Sequence, residues 1–456
     1  MTRYLPDGKK LVFGAATASY QIEGAITEDG RGVSIWDTFA AKPGAVKDGK
    51  DGRHAPDSYH RYEEDAQLVG DLGVEYYRFS VAWPRIIPDG VGRIETRGLD
   101  YYDRMVDAML ARGVTPTGTF YHWDLPQALE DRGGWLDRGT AEAYADYAMV
   151  VHDRLGDRVK VWATHNEPWC AAYLGYAAGV HAPGLRAGGQ AHRAAHHLML
   201  GHGLVAQRLH EQGNSDVGIV LNLAPIWPES DDPELLLAAD GVDAVRNRVW
   251  LDPLVDGAYD EGLLRVAPEL ADPELVRDGD LDLIKGSADW VGINYYTPVR
   301  PGKAAPLAPG ETQHPETDAY PGVEPVTFVV RDPRTDIGWE VEPAGLEELL
   351  ITTAKRVGVP VLITENGAAY ADTEVVDGVV ADDDRRAYLE GHIAATERAR
   401  AAGADIRAYI VWTLLDNFEW AEGYTKYFGI VHVDPETKDR TPKASYRWLQ
   451  SYLAER

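Results

Sequence analysis

Short, almost wholly apolar runs recur along this chain, and stretches with helical spacing of apolar positions separate them. The runs are Leu11–Glu23, Tyr76–Trp83, Thr115–Trp123, Val159–Glu167, Val217–Leu223, Trp290–Tyr296, Val359–Glu365 and Ile406–Leu414. The intervening segments around Tyr62–Leu72, Asp100–Arg112 and Ala191–Gln212 repeat apolar residues every three to four positions, as a helix with one buried face requires. A run without a polar alternation fits a strand covered on both faces, which is the parallel-sheet situation. Eight such strands alternating with helices in one chain of 456 residues predict a (β/α)8 barrel over a doubly wound sheet. No linker-like composition shift divides the sequence, so residues 1–456 are read as one barrel domain. Two polar stretches, 301–325 after the sixth run and 372–384 after the seventh, predict long loops over one end of the barrel.

Two of the runs end in the same way. Val359-Pro-Val-Leu-Ile363 passes abruptly into Thr364, Glu365, Asn366 and Gly367, and Val159-Lys-Val-Trp-Ala163 passes into Thr164, His165, Asn166, Glu167 and Pro168. A carboxylate at the C-terminal end of a barrel strand sits at the rim where such barrels build their chemistry. Two of them on different strands predict a single site assembled by folding.

Composition narrows the substrate. The formal net charge of −28 disfavours nucleic acid and anionic membrane surfaces, since both need concentrated Lys and Arg. An acidic ligand would need a local basic group against the overall field. The single cysteine, Cys170, excludes an intramolecular disulfide and a cysteine zinc site. The first ten residues lack a signal peptide's apolar core and no run approaches 18 apolar residues, so a cytoplasmic protein is expected. Trp (13) and Tyr (24) greatly outnumber Phe (7), which suits stacking on and hydrogen bonding to a hydroxylated ligand. No Gly-rich nucleotide fingerprint follows the first run.

Hydrolysis of a glycosidic bond needs two carboxyl groups across the sugar, one protonated and one ionised. Glu167 lies among Trp162 and Trp169, an apolar setting that raises a carboxyl pKa and suits a general acid. Glu365 needs a cation, and Arg78, inside the otherwise apolar second run, can supply it; an arginine looking outward from a strand end is the other reading. Further strand ends carry groups that read hydroxyls or stack on a sugar face: Gln21 and Glu23, His122 and Trp123, Asn294 with Tyr295 and Tyr296, and the stretch Trp412–Trp420. Singly each could be a core or rim residue, but together they describe a pocket.

Thr164-His-Asn-Glu-Pro168 and Ile363-Thr-Glu-Asn-Gly367 resemble the acid/base and nucleophile motifs of glycoside hydrolase family 1, and the resemblance runs from Phe13–Gln21 to Tyr427–Ile430. It implies a retaining β-glycosidase in which Glu365 attacks the anomeric carbon while Glu167 protonates the leaving oxygen and then activates water. It also implies glycone binding by Gln21, His122, Trp123, Asn166, Glu419 and Trp420 over Trp412, and support from Arg78, Asn294 and Tyr296. Trp169, Leu174 and Trp339 would line the aglycone side, with no cofactor and no metal. Members acting on 6-phosphorylated glycosides usually have Ser where this chain has Glu419, so the carboxylate there favours unphosphorylated sugars; Glu167, which the thioglucosidases lack, implies O-glycosides.

The expectation is therefore an exo-acting β-glucosidase with side activity on β-galactosides and β-fucosides. A β-galactosidase or broad β-glycosidase, and then a 6-phospho-β-glycosidase, are the alternatives. A sugar-binding barrel without catalysis is the reading from another class. The partner is a small β-glycoside, with a homo-oligomer possible. Five histidines, His192, His196, His197, His202 and His210, fall in Ala191–Gln212, and the first two have the spacing of a helical metal pair. No carboxylate completes a ligand set there, so a helix packed on the outside of the barrel is expected instead.

Overall fold

The structure, a computed structural model, describes residues 2–303, 315–372, 374–376 and 378–456. Eight parallel strands close into a barrel: β1 (Val12–Ala16), β2 (Tyr76–Ser80), β3 (Thr115–Tyr121), β4 (Val161–Asn166), β5 (Asp216–Leu221), β6 (Trp290–Asn294), β7 (Val361–Asn366) and β8 (Ile406–Trp412). Each pairs with its neighbours in chain order, and β8 closes on β1 through Val12↔Ala408 to Ala16↔Trp412. Nearly every strand residue is buried, as sheets covered on both faces require.

The helices form the outer layer: α1 (Ser58–Leu72), α2 (Thr96–Leu110), α3 (Arg138–Leu155), α4 (Ala191–Gln212), α5 (Pro233–Asp243), α6 (Val249–Val255), α7 (Pro343–Val357), α8 (Asp383–Ala401) and α9 (Ala444–Ala454). Two apolar clusters result. The larger lies between helices and strands, and the smaller fills the barrel with Val12, Tyr76, Val161, Trp290, Leu362 and Ile410. Large rings need space in the sheet, and glycine provides it: a Cβ at Gly118 would come within 2.2 Å of the Trp162 ring.

All eight expected strands are present, with their ends corrected. The first stops at Ala16, and Gln21 sits in a separate helical turn, Ser19–Ile22. His122, Trp123, Tyr295 and Tyr296 lie just beyond their strands rather than in them. Periodicity does not mark where the ladder ends, because most of these residues are buried like the strands they follow. The stretch 301–325 is less irregular than its composition suggests: Pro301–Lys303 pairs antiparallel with Val326–Phe328, anchored by a buried Arg300–Glu340 ion pair at 2.7 Å. Residues 304–314 of that loop, and Thr373 and Asp377 of the 372–384 loop, lie outside the described residues.

The α4 histidines serve packing. His192 bonds the Tyr173 hydroxyl at 2.9 Å, His196 bonds Tyr259 and Asp280, His197 bonds the Trp135 carbonyl, and His202 joins Thr164 of β4 at 2.8 Å to Ser287. His210, near the helix end, meets Asp289 at 3.1 Å. No described helix is long and apolar enough to cross a membrane.

Candidate active site

The C-terminal ends of the strands bring the two motif carboxylates into one hydrogen-bonded network. Register matters here: Asn294, the last residue of β6, lies beside Glu365 on β7. Arg78 on β2 reaches across the barrel, donating from Nη1 to Glu365 Oε1 at 2.6 Å and from Nη2 to Asn166 Oδ1 at 2.7 Å. Tyr296 donates its hydroxyl to the other oxygen, Glu365 Oε2, at 2.7 Å. Asn294 accepts from Thr364 Oγ1 (2.7 Å), which turns its amide nitrogen toward Glu167 Oε1 (2.7 Å) and Asn166 Oδ1 (3.0 Å). A continuous chain Glu365–Arg78–Asn166–Asn294–Glu167 thus fixes both carboxyls, which are 3 % and 6 % exposed. Arg78 faces inward, which settles the alternative left open by the sequence.

Burial raises the pKa of both carboxyls, and the neighbouring Glu167 raises that of Glu365 further. Their environments then separate them. Glu365 has a guanidinium in contact, whereas Glu167 has only the neutral donors Asn294 and Cys170. A charge-assisted bond outweighs neutral ones, so a single negative charge in the pair rests on Glu365 and the proton on Glu167. Burial and the neighbouring Glu365 hold the Tyr296 phenol well above its usual range, so it stays a donor. His122 is kept neutral by burial and by Arg78; Asn166 Nδ2 donates to its Nε2 at 3.1 Å, which leaves the ring proton on Nδ1.

The surrounding walls are aromatic. The His122 ring lies between Trp412 and Trp420, 5.8 Å from each and nearly parallel to both. Trp123 packs 4.4 Å from Trp420 and donates Nε1 to the Asn166 carbonyl at 2.8 Å. Gln21 donates to Asn417 and Phe418, while its Oε1 and Glu419 Oε2 are buried oxygens without a partner among the described residues. Burial and the two other glutamates push the Glu419 carboxyl up to about 8. Glu167 (φ 46°), Trp123 (74°) and Trp420 (47°) all hold left-handed backbone conformations, each costing a non-glycine residue ~1–3 kcal/mol. Gly367, closing the second motif, is required by space: a Cβ there would sit 1.7 Å from the Trp412 carbonyl oxygen.

The profile of Glycosyl hydrolase family 1 matches residues 3–456. This chain belongs to that family. It is 47 % identical to thermostable beta-glucosidase B of Thermobispora bispora, covering 98 % of this chain and 90 % of the relative. It is 44 % identical to a bifunctional beta-D-glucosidase/beta-D-fucosidase of Bifidobacterium breve, over 100 % and 99 %. Among solved structures, the psychrophilic beta-glucosidase of Micrococcus antarcticus superposes with a TM-score of 0.92 at 45 % identity, over 99 % of this chain and 97 % of that one.

Family membership leaves one sequence-derived placement to correct. Glu23 is not in the pocket; it accepts from Tyr102 (2.5 Å) and Arg85 (3.0 Å), and Arg85 covers the Tyr59 ring at 4.2 Å. That buried group holds the first helical turn. On the other side, Trp339 packs 5.2 Å from Tyr296, and Trp169 and Leu174 lie on or beside the π-helical segment Cys170–Ala177. Cys170 was missed by sequence reasoning although it falls three residues after Glu167. Its thiol donates to Glu167 Oε2 at 3.1 Å and accepts from Asn222 at 3.3 Å.

Proposed function

We propose that this chain is a retaining exo-β-glucosidase that removes terminal β-D-glucosyl residues from oligosaccharides and from aryl or alkyl glucosides. Relatives that are 43–47 % identical along nearly the whole chain carry beta-glucosidase names, and one relative's name also includes beta-D-fucosidase. The observation that carries the mechanism is the asymmetry of the two buried carboxyls, with Arg78 in contact with Glu365 alone.

Glu365, oriented by Arg78 and Tyr296, attacks the anomeric carbon as Glu167 gives its proton to the leaving oxygen. A covalent glucosyl-enzyme results, and Glu167, now ionised, takes a proton from water to release glucose with its configuration retained. The carboxyl groups of such a pair stand ~5–5.5 Å apart. Gln21 Oε1 and Glu419 Oε2, buried and without partners among the described residues, are suited to accept from glucose hydroxyls, with Trp412 beneath the ring. A 6-phosphate would meet the Glu419 carboxyl group instead of a cation.

Two measurements test this. Side-by-side kcat/KM values on 4-nitrophenyl β-D-glucoside, β-D-galactoside, β-D-fucoside and the glucoside 6-phosphate should favour the glucoside, with the fucoside and galactoside following and the phosphate nearly inert. Preference for the phosphate overturns the role given to Glu419. An activated 2-deoxy-2-fluoro-β-D-glucoside should label Glu365 covalently, read by peptide mass; label on any other residue overturns the nucleophile assignment.

A further inference from the structure

Arg246 stands apart from the other arginines around this pocket. It lies in the wide helical turn Ala244–Arg248 that follows α5, and its guanidinium stacks over the Trp169 ring at 4.1 Å. Two residues on, Arg248 is tied to Asp240, Asp243 and Asp260. Arg246 has no carboxylate or hydrogen-bond acceptor among the described residues, and its Nε is buried without a partner. An unpaired, half-buried guanidinium is costly in any protein. In a chain of net charge −28, where carboxylates are plentiful, it is conspicuous.

Its position gives it a use. Trp169 follows Glu167 by two residues, and Glu167 is the residue that protonates the leaving oxygen in the reading above. Burial raises the Glu167 carboxyl, and among the charges opposing that rise Arg246 ranks ahead of Arg78, so its field reaches the acid/base residue. Burial favours the protonated form of Glu167 and Glu419, and the charge on Glu365 is already met by Arg78, so Arg246 is left to receive a negative charge carried by the aglycone.

Resting on the β-glucosidase reading above, we infer that Arg246 forms an anion-accepting aglycone subsite, and that the preferred substrates include β-glucosides whose aglycone carries a carboxylate. Trp169 holds the guanidinium plane in place, and the planar fork offers paired donors to a carboxylate.

The test uses the full chain and two isosteric probes, 4-carboxyphenyl β-D-glucoside and 4-carbamoylphenyl β-D-glucoside. The wild type should prefer the carboxylate in kcat/KM. Arg246→Gln should lower the carboxylate-to-carboxamide ratio roughly tenfold, about the size of one charge-assisted bond. Arg246→Lys should keep part of the preference, and Arg246→Glu should invert it. Raising the ionic strength should narrow the wild-type ratio without touching that of Arg246→Gln. An unchanged ratio in Arg246→Gln, or equal losses on both probes, overturns the inference by reducing Arg246 to a prop for Trp169. Hydrolysis of neither probe by the wild type, with no labelling of Glu365, would instead refute the glucosidase reading itself.

Discussion

At the residue scale, the assignment of Glu167 and Glu365 depends on what touches each oxygen. Glu167→Gln removes the proton donor and should slow turnover by ~10²–10⁴-fold, the usual worth of general acid–base catalysis. The loss should be smaller for 2,4-dinitrophenyl than for alkyl glucosides, because a good leaving group needs little protonation; equal losses contradict the role. Cys170 and Asn294 both donate to Glu167 and favour its ionised form, against the larger upward push of burial. Removing either donor therefore raises that carboxyl's pKa. Cys170→Ala should move the alkaline limb of the kcat/KM–pH profile to higher pH and leave the acidic limb, set by Glu365, in place. Arg78→Met acts with the same sign on the other carboxyl: without its guanidinium the Glu365 proton is lost only at higher pH, so the acidic limb moves up. A shift of the opposite limb in either variant would reverse the assignment.

At the scale of elements, the pocket depends on how the loop after β8 is held, since Gln21, Glu419 and Trp420 meet there. Asp416 anchors that loop. It accepts from the Gly429 amide, from His432 and from Lys443, and Lys443 also pairs with Asp372 of the β7 loop at 2.9 Å. Arg385 of α8 binds Asp372 and Asp382, so the connections after β7 and β8 share one buried set of charges. Removing one partner leaves charge buried and unpaired, and Lys443→Met should cost ~3–5 kcal/mol of stability, read from denaturant unfolding. KM for glucosides should rise in the same variant, because Glu419 and Trp420 lose their support. Burial works against the Asp416 charge, but Lys443 and His432 reverse it and hold this carboxyl below its ordinary value. A depressed carboxyl contributes stability above its unfolded pKa of ~3.9 and loses it as pH falls through the folded one. Acid should therefore loosen this rim below about pH 4, and Asp416→Asn should reduce that dependence.

At the scale of the molecule, the closed barrel makes distant strands interdependent. β1 and β8, from opposite ends of the chain, share one ladder, so neither half can complete its hydrogen bonds alone. We propose that the whole chain unfolds as one unit, and limited proteolysis should release no stable half; a protected N- or C-terminal fragment would argue for two domains. The net charge of −28 acts at long range, so its effect on charged substrates should fade with added salt.

The eight strands, their order and the two motif glutamates were legible in the sequence, because a buried parallel strand must be apolar throughout and a carboxylate at its end breaks that pattern visibly. The seventh strand and Glu365 are the clearest case. Where one strand stops and a buried loop begins was not legible, as Gln21 and His122 illustrate, since both surroundings select the same residue types. The partners were decided only by the tertiary structure. Glu23 reads like Gln21 in sequence, yet it is taken up by Arg85 and Tyr102. Cys170 and Arg246 carry no motif at all; their meaning comes from lying against Glu167 and Trp169. Periodicity is a property of neighbours along the chain, whereas a pKa or a stacked guanidinium depends on groups brought within a few ångströms by closure of the barrel.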